Sequence, residues 1–411
     1  MGRDRRTRRT VLGCLAAGTI SGMGGCLQAF SENASSPKSE GESSKTVSPK
    51  PFTAVAKSRS PVATLSGSDR SESFGQVVAT TGSTVFVSEP QAAPDGVTKA
   101  GVVAVFSQLE NGWEQTATLT GQKDERGYFG GQIATSGPTL LVGNEYNYSG
   151  TSRIPESVFE RSNGDSWQLT TELTEGVYVE SMAVDSDTAV LRTAASDDLV
   201  AVFERENGEW RRRQTLSTDD WDDGRTVRSV ATDGETILVG APPKPGPKRR
   251  RASSGVVHVF RRSSGTWSHQ TTLSGATRRD HFGWSVSVVD RKALIGDYIN
   301  DTAYVFDLSD GQWALEQIYT ATSDDSHQYF GDFVAMDSGT LLVTAPNAQF
   351  SDSVGAVYKL DQPSSTTAPR GIYFTAPDAS EQFGDAIATT NGTTIVAGSD
   401  SKGRLVYIYE Q

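Results

Sequence analysis

The side chains best suited to bind a ligand are aromatic and charged residues in five short segments that lie between apolar runs. They combine flat apolar rings with charged or hydrogen-bonding groups, the mixture that lines most binding sites. This points to non-covalent recognition. For any one residue taken alone, a solvated surface position is the simpler alternative. The candidates are Tyr146, Tyr148, Asp220, Trp221, Asp222, Arg279, His281, Tyr298, His327 and Tyr329.

Other kinds of chemistry are poorly provided for. Both cysteines, Cys14 and Cys26, lie in the first 26 of the 411 residues, and the chain has only 4 histidines. The rest of the chain therefore has no disulfide scaffold, thiolate metal site or cysteine nucleophile, and a multi-histidine metal centre is disfavoured. No nucleophile elbow, phosphate-binding loop, dinucleotide fingerprint or His-Glu-x-x-His motif occurs. We predict no catalytic residue and no cofactor.

The charge balance limits the partners. The formal net charge is −12. We expect no nucleic-acid binding, because proteins that bind nucleic acids carry basic surfaces. One basic run, Lys248–Arg251, suits an anionic glycan or phosphate, but an exposed loop tip flanked by prolines is the simpler interpretation.

The first 25 residues are typical of an export signal. Five arginines stand against one aspartate, and an uncharged stretch rich in Gly and Ala runs from Thr10 to Gly25. This stretch is too short for a membrane-spanning helix, which needs about 20 apolar residues, but it suits a signal peptide. The segment that contains Arg8 and Arg9 resembles a twin-arginine export signal.

The residues around Cys26 resemble a lipobox, in which small residues precede a lipidated cysteine. The resemblance implies that Cys26 is lipidated and anchors the protein on the extracellular face of the cell membrane; the alternative is a plain secretory signal with a chance cysteine. Residues 27–50 are dominated by Ser, Glu, Lys and Pro, so we expect a disordered linker. The predicted organisation is 1–25 signal peptide, 26–50 lipidated cysteine and linker, and 51–411 folded body.

The folded body repeats one pattern seven times. A Phe-Gly pair, which leads into an alternating strand, begins at residues 74, 129, 282, 330 and 383, and altered copies begin at residues 178 and 226. The mean spacing is about 50 residues, and each copy contains four short apolar runs separated by turn residues. In five copies the fourth run opens with a tryptophan that we expect to pack within the blades: Trp113, Trp167, Trp210, Trp267 and Trp313.

Four strands repeated seven times predict an all-β fold, a seven-bladed β-propeller of four-stranded blades. A β-solenoid suits the pattern less well because its coils are shorter, and separate sandwiches would not share one pattern. The last repeat stops after its third strand, whereas Pro61–Gly67 matches the end of a fourth. We therefore predict that this N-terminal strand completes the last blade and closes the ring.

The Phe-Gly strand followed by Val239-Gly240-Ala241-Pro242 resembles the FG-GAP repeat, which builds the seven-bladed ligand-binding head of integrin α-subunits and many microbial surface proteins. Integrin-type blades often carry an acidic calcium loop between the first two strands. Here those turns hold at most two acids, as at Asp233 and Glu235, whereas calcium takes about six or more oxygen ligands. We predict no metal site in the blades.

In a propeller, the connections from second to third strand and from blade to blade lie on one face. The connections on that face include long and irregular loops here, the opposite turns are short, and all ten candidates lie on the face with the long loops. Binding usually resides in such loops. We predict a monomeric, membrane-anchored extracellular module for ligand binding, adhesion or scaffolding, with a surface protein or a glycan as partner.

The alternative is an extracellular enzyme with a propeller fold, either a hydrolase or quinoprotein-like. Its site would lie at the mouth of the central channel, because side chains from different blades could converge there.

The amino-acid composition indicates the kind of habitat. Without the signal the net charge is −16, and arginine exceeds lysine. This resembles salt-adapted extracellular proteins of the kind found on halophilic archaea.

Overall fold

Seven blades, each with four antiparallel strands, form the predicted β-propeller; the seventh repeat supplies three strands of its blade and an N-terminal strand adds the fourth. The computed structural model describes residues 50–51, 53–57, 60–67, 72–121, 127–144, 155–162, 166–173, 179–193, 200–217, 224–244, 254–277, 280–320, 328–349, 354–362, 370–377 and 382–410. These residues belong to the compact unit Val47–Lys244 and Lys248–Gln411; the other unit, Met1–Thr46 with Pro245–Pro247, lies outside them.

The strands follow the chain from blade 1 to blade 7. Blade 1 contains β4 (Val78–Thr80), β5 (Thr84–Glu89), β6 (Val102–Leu109) and β7 (Gly112–Leu119). Blade 2 contains β8 (Phe129–Ser136), β9 (Thr139–Asn144), β10 (Glu156–Arg161) and β11 (Trp167–Leu173). Blade 3 contains β12 (Val179–Asp185), β13 (Thr188–Thr193), β14 (Val200–Glu206) and β15 (Glu209–Leu216). Blade 4 contains β16 (Ser229–Thr232), β17 (Thr236–Ala241), β18 (Val256–Ser263) and β19 (Thr266–Ser274).

The remaining blades have the same order. Blade 5 contains β20 (Ser285–Val289), β21 (Lys292–Asp297), β22 (Thr302–Ser309) and β23 (Gln312–Thr320). Blade 6 contains β24 (Val334–Met336), β25 (Leu341–Gln349), β26 (Val354–Leu360) and β27 (Arg370–Phe374). Blade 7 contains β28 (Gln382–Thr390), β29 (Thr393–Asp400) and β30 (Gly403–Glu410). The first strand of every blade contacts the first strands of both neighbours, including β28 against β4, so the first strands form the inner ring.

Three N-terminal strands lie at the outer edges of the last three blades. β3 (Ala63–Ser66) pairs antiparallel with β30 in the sheet of blade 7. β1 (Lys50–Pro51) pairs in parallel with β23 of blade 5, and β2 (Thr53–Lys57) pairs in parallel with β27 of blade 6. The fifth strands of blades 5 and 6 were not foreseen from the sequence. That β3 holds the ring closed stays a prediction.

The phenylalanines of the Phe-Gly pairs lie in the core between blades. Each is at most 1% exposed: Phe74, Phe129, Phe282, Phe330 and Phe383. Phe282, for example, shares one apolar cluster with Val257 of blade 4 and Phe306 of blade 5. Burying such a side chain contributes about 2–3 kcal/mol, which explains why the repeat retains it.

The tryptophans of the fourth strands also pack on these clusters. Trp167 and Trp267 are buried, and Trp113, Trp210 and Trp313 are partly buried against neighbouring cores. The indole N–H of Trp267 in blade 4 donates to Oε1 of Glu204 in blade 3 at 3.1 Å. This tryptophan therefore joins two blades by a hydrogen bond as well as by its apolar area.

Glycines let consecutive blades approach closely. A Cβ added at Gly240 of blade 4 would lie 2.1 Å from the carbonyl oxygen of Gly283, and one at Gly296 would lie 2.1 Å from that of Gly331. Blade 3 has Arg192 at this strand position, and the next repeat has Thr226-Val227 where a Phe-Gly pair would stand. Both residues of this contact therefore differ, at the junction of blades 3 and 4, from those at the junctions of blades 4 with 5 and 5 with 6. Among the described residues, no helix has the length and apolar character needed to cross a membrane.

Candidate ligand-binding face

Three of the ten loop candidates lie in the described residues, and the structure brings them together. The ring centroid of Tyr298 lies 5.2 Å from that of His281 and 5.4 Å from that of Tyr329, both in T-shaped contacts. Outside the described residues lie the other predicted positions: Arg8, Arg9, Cys26, Tyr146, Tyr148, Asp220, Trp221, Asp222, Arg279 and His327.

Each of the three comes from a connection of the predicted loop type. Tyr298 begins a short 3-10 turn, Tyr298–Asn300, between the second and third strands of blade 5. His281 precedes the first strand of blade 5, and Tyr329 precedes the first strand of blade 6. We call the side of the propeller that carries these connections the loop face.

Sequence reasoning missed Trp284, which completes the group. Its ring centroid lies 4.4 Å from that of Tyr298 and 5.8 Å from that of His281. All four side chains are partly buried, so they form a packed surface that solvent still reaches. We call His281, Trp284, Tyr298 and Tyr329 the aromatic cluster.

Two charged residues hold Trp284. The guanidinium carbon of Arg228 lies 3.6 Å from the centroid of the Trp284 ring, within the range of a cation–π interaction. The indole N–H of Trp284 donates to Oδ1 of Asp332 at 2.8 Å. Blades 4, 5 and 6 thus supply one side chain each to a linked Arg–Trp–Asp row.

The signal for this row was present in the repeat alignment. All three residues immediately follow the Phe-Gly pair or its replacement, just before the inner strand begins. The equivalent position in successive blades holds Gln76, Gly131, Glu180, Arg228, Trp284, Asp332 and Asp385. In two other blades the residue at this position forms an ion pair. Glu180 pairs with Arg192, and Asp385 pairs with Arg404 at 3.0 Å. Among the seven residues at this position, Trp284 alone is aromatic.

Two fully buried carboxylates lie beside the aromatic cluster. Oδ1 of Asp297 accepts a hydrogen bond from the amide of His281 at 2.8 Å, and its Oδ2 accepts one from Nδ2 of Asn300 at 2.8 Å. Oδ1 of Asp280 accepts one from the amide of Gly255 at 2.7 Å. These bonds fix the connections that carry His281 and Tyr298.

Burial sets the protonation behaviour of these acids. It raises the pKa of Asp280 to about 6, with a smaller contribution from the charge of Asp297. It also raises the pKa of Asp297 above its usual range. Nearby Tyr304 has a pKa raised to about 12 by burial and by the charges of Asp297 and Asp280. Both carboxylates are buried and accept hydrogen bonds from main-chain amides. We therefore assign them a structural role, which is to position the connections that carry the site.

The arrangement suits non-covalent recognition. It offers apolar rings, one guanidinium and one carboxylate on neighbouring blades. In the part of the chain that the structure describes, no group of three or more His, Cys, Asp and Glu side chains is placed to hold a metal ion.

No protein-family model matches this chain, and no curated protein matches it either. The fold itself is a seven-bladed β-propeller with repeated blades.

Proposed function

We propose that this protein is a surface-tethered β-propeller that binds a ligand on its loop face, in an adhesion or scaffolding role. The observation that supports the proposal best is the convergence of side chains from three neighbouring blades on that face. They are Arg228, His281, Trp284, Tyr298, Tyr329 and Asp332.

The cluster is not explained by the needs of the fold. Trp284 stands at a position where the other six blades have Gln, Gly, Glu, Arg or Asp, and those blades form the same sheets. A binding role is favoured over catalysis because the buried acids nearby, Asp280 and Asp297, are engaged with main-chain amides. Loops on a rigid scaffold are the usual place for such a binding surface.

The finer assignments rest on the sequence. The Phe-Gly pairs followed by segments such as Val239–Pro242 support a place among FG-GAP repeat proteins, and the charge of −16 without the signal supports a salt-adapted habitat. Arg8, Arg9 and Cys26 support twin-arginine export and lipid anchoring. An anchor, a linker and a binding head together make a protein that presents its loop face outside the cell.

A steric block on each face in turn tests the proposal. In a full chain with Cys14 and Cys26 changed to Ser, a single cysteine is placed either at Ile299 on the loop face or at Glu110 in a turn on the opposite face; both positions are exposed. Each variant is coupled to a bulky polyethylene glycol and tested on an oligosaccharide array and a peptide display library. We expect the Ile299 adduct to lose binding and the Glu110 adduct to keep it.

The reverse pattern, or binding that neither adduct disturbs, contradicts the choice of face. Absence of saturable binding to both collections contradicts the binding role itself.

A further inference from the structure

We propose that Asp280 and Asp297 form a proton switch beneath the loop face. In the packed state Asp280 holds a proton on Oδ2 and Asp297 is ionised. Release of that proton to solvent leaves two negative charges in the interior and loosens the connections that carry His281 and Tyr298. The switch responds to pH in the free protein, so this inference goes beyond the proposed function and does not depend on it.

Both carboxylates are enclosed, and their surroundings are neutral. Asp280 and Asp297 are each 0% exposed. In the described part of the chain neither forms an ion pair: Asp280 accepts from the amide of Gly255, and Asp297 accepts from the amide of His281 and from Nδ2 of Asn300. A buried carboxylate without a counter-ion is costly to ionise, and a second negative charge nearby raises that cost. The fold therefore favours one proton on the pair.

The hydrogen bonds assign this proton to Asp280. Both oxygens of Asp297 accept hydrogen bonds of 2.8 Å, which stabilise its charged form. Oδ2 of Asp280, by contrast, is buried and has no hydrogen-bond partner among the residues that the structure describes. A Cβ at Gly275 would lie 2.6 Å from this oxygen, so only a glycine leaves it room there. A neutral hydroxyl is less costly at such a place than a bare charge.

The titratable and charged groups around the pair do not neutralise it. Tyr304 of β22 is itself uncharged, since burial and the charges of the two acids raise its pKa to about 12. Asp301, at the end of the 3-10 turn, is a third acid and accepts from the amide of Phe330. Arg225, on the side of blade 4, donates from Nε to the carbonyl oxygen of Ser254 at 2.9 Å.

The two acids hold the loop face through the main chain. Asp297 accepts from the amide of His281, and Nδ2 of Asn300 links the same carboxylate to Oγ1 of Thr277 at 3.0 Å. The connection into blade 5 and the 3-10 turn of blade 5 are thus tied to one carboxylate, and the other acid ties that connection to blade 4. Repulsion between two ionised acids would weaken these bonds, and with them the contact between the rings of His281 and Tyr298.

Hydrogen exchange of the full chain without ligand tests the switch. The amides of Gly255 and His281 are followed by mass spectrometry of short peptides between pH 4 and 7.5, with correction for the intrinsic pH dependence of exchange. We expect their protection to fall by about 10–100-fold around pH 6, because burial raises the pKa of Asp280 from 3.8 to about 6 and each pKa unit is a tenfold change. The amide of Phe129, bonded to the carbonyl of Ala100 between blades 1 and 2, should keep its protection.

Three variants identify the titrating group. Asp280→Asn keeps an acceptor for Gly255 and removes the charge, so its protection should not change with pH. Asp310→Asn, in an exposed turn, controls for loss of a carboxylate, and His281→Asn removes an imidazole that is an alternative source of titration in this range. Both should keep the transition of the parent. Should Asp280→Asn fail to fold, Asp297→Asn replaces it, and loss of this charge should move the transition to lower pH.

Four results would overturn the switch. They are protection of the two amides that is constant with pH, a transition that His281→Asn abolishes and Asp280→Asn keeps, a change in global stability without a change in exchange at these amides, and loss of the pH dependence on addition of calcium, which would place a cation between the acids. None of them bears on ligand binding by the loop face, which the Ile299 and Glu110 adducts test separately.

Discussion

The main-chain amide of Gly255 donates a 2.7 Å hydrogen bond to the buried carboxylate of Asp280. Gly255 immediately precedes the third strand of blade 4, and Asp280 lies on the connection that leads into blade 5, so this bond ties the connection to the preceding blade. A Cβ at Gly255 would lie 2.0 Å from the carbonyl oxygen of Phe282. The loop face beside the aromatic cluster is therefore built on a close contact between a glycine and a buried acid.

The acid makes stability depend on pH. Because burial raises the pKa of Asp280 from 3.8 to about 6, the folded protein retains a proton between pH 4 and 6 that the unfolded chain has lost. The contribution of this group to stability is thus fully present below about pH 4 and is lost as the pH rises through about 6. A shift of this size corresponds to about 2–3 kcal/mol.

Asp280→Asn removes the titration and keeps an oxygen acceptor for Gly255. We expect the free energy of unfolding of this variant, relative to the parent, to increase by about 2–3 kcal/mol between pH 4 and 7.5. Urea unfolding at several pH values measures it. Asp310→Asn, in an exposed turn, is the control for loss of a carboxylate as such. A difference that stays constant with pH would show that Asp280 does not titrate in this way.

Close packing between blades can be tested at Gly240. A methyl group there would lie 2.1 Å from the carbonyl oxygen of Gly283, next to Trp284. Since a backbone atom cannot move aside cheaply, we expect Gly240→Ala to cost about 1–3 kcal/mol or more of stability. Gly339→Ala is the matched control, because its Cβ would find only a side-chain oxygen of Asp337 at 3.9 Å. Equal melting temperatures for the two variants would contradict the close-approach interpretation.

The proposed lipid anchor depends on the sulfur atom of Cys26. We expect Cys26→Ser to release the protein from membranes into the medium, because lipid chains provide the membrane affinity and each buried CH₂ contributes about 0.8 kcal/mol. Fractionation and mass spectrometry of the mature N-terminus measure this. Cys14→Ser is the control, since Cys14 lies within the predicted signal peptide. Membrane retention of the Cys26→Ser protein would rule out a lipid anchor at this residue.

The blades could be predicted because each repeat marks its strands by local patterns of apolar runs separated by turn residues. Phe282 and Trp267, for example, recur at fixed places in the pattern and are buried as such residues should be. His281, Tyr298 and Tyr329 could be chosen as candidates because they lie in the connections that a propeller places on one face. Their mutual contact could not be predicted, because it depends on how neighbouring blades pack around the ring.

A related reason explains why the sequence did not predict a site at Arg228, Trp284 and Asp332. Each is a single residue beside an inner strand, about 50 residues from the next, and no local pattern distinguishes it. Only a comparison of equivalent positions, combined with the knowledge that blades 4, 5 and 6 are neighbours, shows a row. The pairing of β1 and β2 with blades 5 and 6 was missed because a parallel edge pairing adds no periodicity to the partner strand.

The N-terminal strands permit a graded test of ring closure. A chain that begins at residue 60 lacks β1 and β2, and one that begins at residue 68 also lacks β3. We expect the second to melt about 5–10 °C below the first, because it exposes the edge of β30 and removes Leu65, which is 5% exposed, from a cluster with Phe74 and Val406. Differential scanning calorimetry measures both melts.

A point variant separates side-chain packing from strand pairing. In the full chain, Leu65→Ala should cost about 2–4 kcal/mol, whereas Val62→Ala, at a position 56% exposed, should cost almost nothing. If the chain beginning at residue 68 melts lower than the Leu65→Ala variant of the chain beginning at residue 60, the backbone pairing of β3 itself stabilises the ring. If the two truncated chains melt at the same temperature, β3 does not close the ring, and the inner contact between β28 and β4 is sufficient to hold it.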